Sequence, residues 1–220
     1  GVVIGKDGEA VDALRKEGYE AFYIAVGCQG SRKAGIPGED AEGVLNAVDI
    51  LHNIAENNQF DLNGRKAVVI GGGNVAVDVA RSAKRCGAEI LGMYCLESKG
   101  EMPASEEEIF ETEDEGIEII NGWGPKEILT ENGKVKGIVL KKCVSVKDSD
   151  GKFNPVYDEA ETVTVACDAV YLSIGLSIDW GTLIDDENME LGRGNAPVAD
   201  PLTYQTSVED IFVGGDVYTG

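Results

Sequence analysis

Six consecutive residues, Gly71-Gly72-Gly73-Asn74-Val75-Ala76, read G-x-G-x-x-A and combine the residue types and spacing needed to hold a diphosphate. Gly71 permits a tight turn, Gly73 lets the main chain approach a pyrophosphate, and Ala76 keeps a following helix close to its strand. The amides that open that helix would present unshared N–H groups and a partial positive charge to the anion. Further along, Glu97 ends the next apolar run, where an acid would hydrogen-bond the adenosine ribose hydroxyls of NAD. Lys99, two residues on, would instead meet the 2′-phosphate of NADP, so the choice of dinucleotide stays open.

Such a turn does this only between a strand and a helix, and the flanks fit. The pattern predicts a strand over 66–70, a helix over 74–85 with Val75, Val79 and Ala83 on one side, and a second strand over 89–96. An acidic helix over 105–115 follows; its Ser105-Glu106-Glu107-Glu108 start fits a capping box, and a third strand falls at 117–120. This is a βαβαβ half of a doubly wound sheet. Two other G-x-G spacings, Gly122-Trp123-Gly124 and Gly192-Arg193-Gly194, open no helical pattern and are set aside.

On either side the pattern changes. A helix is expected over 9–16, a strand buried on both faces over 21–26, a helix over 44–57 and a turn at Asn63-Gly64. Segments 125–130, 135–146 and 162–165 alternate like antiparallel strands, with Asn132-Gly133 as a hairpin signal and a polar loop over 147–161. A buried strand over 168–174 and a short one over 211–213 complete the reading. The expected organisation is three segments, 1–64, 65–170 and 171–220, the middle one carrying the dinucleotide.

Composition narrows the function classes. With 40 acids against 19 bases, the formal charge of −21 disfavours nucleic acid and anionic membrane surfaces. No apolar run approaches the length of a membrane span, and the polar start Gly1-Val2-Val3-Ile4-Gly5-Lys6-Asp7 does not resemble a signal peptide. Lacking an initiator Met, the sequence is expected to be cut from a longer chain. Five scattered cysteines (Cys28, Cys86, Cys95, Cys143, Cys167) contain no C-x-x-C, which argues against a disulfide framework, a metal site or a redox dithiol and for a cytoplasmic setting. His52, the single histidine, sits among polar neighbours as a surface residue would. No acid–base catalyst is assigned.

The run from Val68 to Arg81, followed by Glu101-Met102-Pro103-Ala104, resembles the small (beta) subunit of glutamate synthase and its NAD(P)H:flavin oxidoreductase relatives. The likeness spans nearly the whole chain. Ala25-Val26-Gly27 with Gly35-Ile36-Pro37-Gly38-Glu39-Asp40 resembles the segment joining that family's two nucleotide domains. Thr203-Tyr204-Gln205-Thr206-Ser207 and Ile211-Phe212-Val213-Gly214-Gly215-Asp216 resemble its flavin-site return. The resemblance implies a Rossmann-like doubly wound parallel sheet with an antiparallel β-meander, flanked by incomplete FAD-domain segments.

It also implies hydride transfer from nicotinamide to FAD and electrons passed on to an iron–sulfur domain or larger partner subunit. By position, Gly71, Gly72, Gly73, Asn74, Val75 and Ala76 would serve NAD(P)H, Ile174-Gly175 would lie by the nicotinamide, and Gly215-Asp216 would meet FAD. The family's two arginines for the NADPH 2′-phosphate fall on Leu96 and Glu97, which favours NADH. The family's N-terminal flavin fingerprint and the helix after Asp216 are absent from the reading, so the chain is expected to hold FAD weakly or not at all.

Overall fold

In the computed structural model, residues 11–56, 62–185 and 187–219 are described. In chain order the elements are α1 (Val11–Lys16), β1 (Phe22–Ile24), β2 (Gly30–Ser31), β3 (Val44–Asn46), α2 (Ala47–Glu56), β4 (Lys66–Ile70), α3 (Asn74–Arg85) and β5 (Glu89–Cys95). Then come α4 (Glu106–Asp114), β6 (Ile119–Asn121), β7 (Trp123–Glu131), β8 (Lys134–Lys147), β9 (Phe153–Val165), β10 (Ala169–Leu172), β11 (Leu176–Ser177), β12 (Ile211–Val213) and α5 (Asp216–Thr219). The chain divides into two units, one spanning residues 31–175 and the other drawn from 1–30 and 176–220. The expected segment limits at 64/65 and 170/171 fall within the larger unit.

The larger unit is built on a parallel five-stranded sheet in the order β3-β10-β4-β5-β6. Strand β4, Lys-Ala-Val-Val-Ile, is buried on both faces after its first residue because it lies in the middle. Its alternate side chains divide between two cores. Ala67 and Val69 join Ile50 of α2, Val77 and Val79 of α3 and Ile109 of α4. Val68 and Ile70 join Ile128, Ile138 and Leu140 of the antiparallel sheet β7-β8-β9. Helices thus cover one face and the meander the other, with the Asn132-Gly133 hairpin turn at φ 52° and 77°.

Three local expectations change. Val44 belongs to a strand rather than a helix: it pairs with Val170 at the sheet edge, and the helix starts at Ala47. The expected polar loop over 147–161 is largely strand β9, which pairs with β8 through three register irregularities. As an edge strand exposed on most of its length, it has no need of apolar alternation. In the smaller unit, β1 is shorter than expected and one-sided, with Tyr23 67% exposed; among the described residues it pairs with β12 alone.

That unit packs Val11, Ile24, Ile211, Val213 and Val217 together. Arg15 of α1 binds Glu187 at 2.7 Å and Asp210 at 2.6 Å. The helix that the sequence reading did not expect after Asp216 begins there as α5, its Tyr218 and Thr219 amides both donating to the Gly215 carbonyl.

Candidate functional site

Strand β4 lies between β10 and β5, and at its carboxyl end the chain runs through the Gly-rich turn into α3. Gly71 has φ 144°, and a Cβ there would stand 2.2 Å from the main-chain oxygen of Ser173, so the turn requires glycine to close. Ala76, fully buried, lies 3.2 Å from that same Cβ position, which a larger residue would invade. A Cβ on Gly72 would meet Glu97 Oε2 at 2.8 Å and Cys95 Cβ at 2.9 Å. Gly73 differs: its φ is −95°, and a Cβ there would meet nothing within 4 Å.

Gly73 is the N-cap of α3 and offers no side-chain cap. The first intrahelical bonds run from the Ala76 and Val77 amides to the Gly73 carbonyl. The Asn74 and Val75 amides precede them and lack an intrahelical acceptor. The turn is braced from outside. The Ala104 amide donates to the Gly72 carbonyl at 3.1 Å, and the Ser105 amide to Asn74 Oδ1 at 3.1 Å. The Met102-Pro103-Ala104 segment thus fastens the loop after β5 to the glycine turn. Ser105 caps α4 through its hydroxyl, which accepts from the Glu108 amide, while the Glu108 carboxylate accepts from that hydroxyl rather than from the Ser105 amide.

Glu97 is half-buried with its carboxylate beside Gly72. Its main-chain oxygen accepts from Asn121 Nδ2 at 3.0 Å and from the Gly122 amide at 3.3 Å. Burial, with the charge of Glu97, pushes the Cys95 thiol up to about 12, leaving it protonated under the turn. Lys99 is turned away from the mouth and paired with Glu113 of α4 at 2.6 Å. At the end of β10, the Ser173 amide donates to Ile70 O at 2.8 Å, which sets half-buried Ile174 and exposed Gly175 beside the mouth. Arg32 packs on Gly175, 3.3 Å from its Cβ position, and its amide donates to the Gly175 carbonyl.

The structure therefore gathers Gly71, Gly72, Gly73, Asn74, Val75, Ala76 and Glu97 around one mouth, with Ile174 and Gly175 at its β10 side, and leaves Lys99 facing α4. Gly215 (φ 61°, open space around it) and exposed Asp216 stand in the smaller unit, where the Cys28 thiol donates to the Asp216 carbonyl at 3.5 Å. Ser173, Arg32 and Asn121 were missed, because they act across long sequence separations that no local pattern signals. Among the described residues no cluster of His, Cys, Asp and Glu could hold a metal.

The profile of the family described as "Pyridine nucleotide-disulphide oxidoreductase" matches residues 3–220. The chain is 34% identical over 216 residues to the "NADP(+)-dependent formate dehydrogenase subunit beta" of Moorella thermoacetica, covering 96% of this chain and 30% of that protein. It is 31% identical over 233 residues to the "Glutamate synthase [NADPH] small chain" of Halomonas elongata, covering all of this chain and 49% of that protein. Among solved structures, Mycobacterium tuberculosis FprA in complex with NADPH superposes with a TM-score of 0.77 at 21% identity, over 99% of this chain and 62% of that one. Lactococcus lactis thioredoxin reductase gives a TM-score of 0.67 at 23% identity, over 91% of this chain and 58% of that one. At these identities the two structures speak for the fold alone.

Proposed function

The chain belongs to the pyridine nucleotide-disulphide oxidoreductase family, and from that premise we propose that it is the NAD(P)H-binding portion of a flavin-dependent oxidoreductase. When bound, the dinucleotide would supply a hydride from its nicotinamide for a flavin to accept. The residues of this chain bind and orient. The Asn74 and Val75 amides and the α3 dipole hold the diphosphate, Gly71 and Ala76 keep that helix end close to β4, and Glu97 accepts from the adenosine ribose hydroxyls. Ile174 and Gly175 border the nicotinamide half. No side chain needs to act as acid or base, since the transfer is cofactor chemistry.

One observation carries the reading. Nothing inside the fold accounts for glycine at position 73, where the conformation is ordinary and the space open. Ser, Asp or Asn at this N-cap would gain about a few tenths of a kcal/mol over glycine. A bare main chain at that point makes sense where a phosphate must come against it, and the donor set there, all uncharged amides, suits an anion. Glu97 favours the unphosphorylated ribose and hence NADH, whereas the two relatives above are named for NADP and NADPH.

For FAD the fit is partial: Gly215 and Asp216 offer an open glycine and an exposed carboxylate on a unit whose β1-β12 sheet has two strands among the described residues. We place the flavin in the protein that carries this chain and route no step through these residues. The names "subunit beta" and "small chain" of the relatives favour a partner subunit receiving the electrons.

A second reading is a dinucleotide-binding module that transfers no hydride. A disulfide reductase is disfavoured: the chain has no C-x-x-C, and burial pushes Cys95 and Cys167 up to about 12. Calorimetric titration with NADH and NADPH, followed by anaerobic mixing of the FAD-loaded whole protein with each, separates these readings. Binding with bleaching of the flavin supports the oxidoreductase. Binding without bleaching supports the module, and no binding of either nucleotide removes both.

A further inference from the structure

Bases are scarce in this chain, and many have an acid partner. Lys33, Lys99, Lys126, Lys134, Lys136 and Lys141 each pair with a carboxylate. Lys142 of β8 does not: no carboxylate lies within salt-bridge distance of it among the described residues. It is nonetheless half-buried and held in place. Its ammonium lies 4.9 Å from the centre of the Trp123 ring, on the residue directly across the β7–β8 ladder. Asp158, opposite it on β9, is engaged elsewhere, its Oδ1 accepting from the Ala160 amide at 2.9 Å.

The position of that ammonium matters. It lies 3.3 Å from where a Cβ on Gly122 would be, a residue at φ 76° whose missing side chain leaves the room. Gly122 is the residue whose amide donates to the Glu97 carbonyl, beside Asn121, which binds the same oxygen. A cation with no carboxylate in salt-bridge range among the described residues therefore stands against Gly122, whose amide binds the main-chain oxygen of the acid assigned to the ribose. Lys99, the cation nearer in sequence, is tied to Glu113.

Building on the dinucleotide reading, we propose that Lys142, delivered by the antiparallel sheet through its seat on Trp123, is the cation that admits the 2′-phosphate of NADPH next to Glu97. Glu97 then sets the preference for NADH, and Lys142 sets how much NADPH is tolerated. The signal lies outside the Rossmann segment, on a strand whose sequence carries no nucleotide motif, so sequence reading assigns the role to Lys99 instead.

The test is titration of the full chain and of its Lys142→Met and Lys99→Met variants with NADH and with NADPH, at two salt concentrations. Methionine keeps the apolar stem over Trp123 and removes the charge. The expected result for K142M is roughly a tenfold loss of NADPH affinity with NADH within about twofold, a shallower salt dependence for NADPH, and no selective change for K99M. Equal losses for both nucleotides, no loss, or a selective loss in K99M instead would overturn the role of Lys142 while leaving the dinucleotide site intact. Wild-type protein that binds NADH but no NADPH would also overturn it. Wild-type protein that binds neither would refute the underlying site.

Discussion

Replacing Gly73 by Ala tests the site and the fold separately. The added methyl group meets no protein atom within 4 Å, and the φ of −95° suits alanine. The folding cost is therefore confined to a poorer N-cap, about 0.5 kcal/mol. A diphosphate seated on the Asn74 and Val75 amides would, in contrast, be pushed off by that methyl group. Losing one hydrogen bond to a charged oxygen costs about 1.5–3 kcal/mol, roughly a 10- to 150-fold fall in affinity. Isothermal titration with NADH reads the affinity, and urea unfolding without ligand reads the stability. The matched control is Gly71→Ala. There the methyl group would stand 2.2 Å from the Ser173 carbonyl oxygen at a φ of 144°, so a loss of about 2–5 kcal/mol in stability is expected from overpacking and strain together. Unchanged affinity in G73A, or a stability loss as large as in G71A, would refute the reasoning.

Other expectations follow from buried groups. The Tyr171 hydroxyl is buried with no hydrogen-bond partner among the described residues, so Tyr171→Phe should be neutral or raise stability by up to ~1–3 kcal/mol; a clear drop in the urea midpoint would show a hidden partner. Arg15→Met should destabilise the smaller unit by about 3–5 kcal/mol, since it strands Glu187, whose side chain is 4% exposed. The same guanidinium holds Asp210 below the usual carboxylate range. Its stabilisation is present above that range and lost as pH falls through the lowered pKa, so the wild type should lose stability on acidification more steeply than R15M. Alkylation of the native protein near pH 8 should mark half-buried Cys28 and Cys86 and spare Cys95, Cys143 and Cys167, whose thiols burial raises; mass spectrometry of the labelled peptides checks it.

Legibility in the sequence tracked how much local chemistry each element carries. The stretch from Lys66 to Arg85 was readable to the residue because a buried central strand, a glycine turn and an amphipathic helix each have their own signature. Strand β9 was not, because an exposed edge strand with bulges shows neither alternation nor apolar content. Val44 kept helical spacing with Val48 and Leu51 and still became a strand, since pairing with Val170 outweighs a periodicity that begins one element later. Within the site, residues on the strand–turn–helix itself were legible. Ser173, Arg32, Asn121 and Lys142 were not, because their places are set by the parallel and antiparallel ladders.

A formal charge of −21 and a site for a diphosphate are compatible because they act over different ranges. The acids of α4 nearest the turn's own helix are not free charges: Glu111 and Glu115 pair with Arg81 of α3, and Glu113 with Lys99. Glu97, beside Gly72, is assigned to the ribose rather than to the diphosphate, and acids farther off than ~8–10 Å are screened by salt. What remains there is the half-charge of the α3 dipole and its two unshared amides, which need no lysine or arginine. Such a site recognises the part that NADH and NADPH share, the diphosphate. It leaves their one difference, the 2′-phosphate, to whatever charge stands next to Glu97. On the proposed reading, an acidic protein that grips phosphate with backbone separates affinity from specificity and leaves the second to be tuned by Lys142.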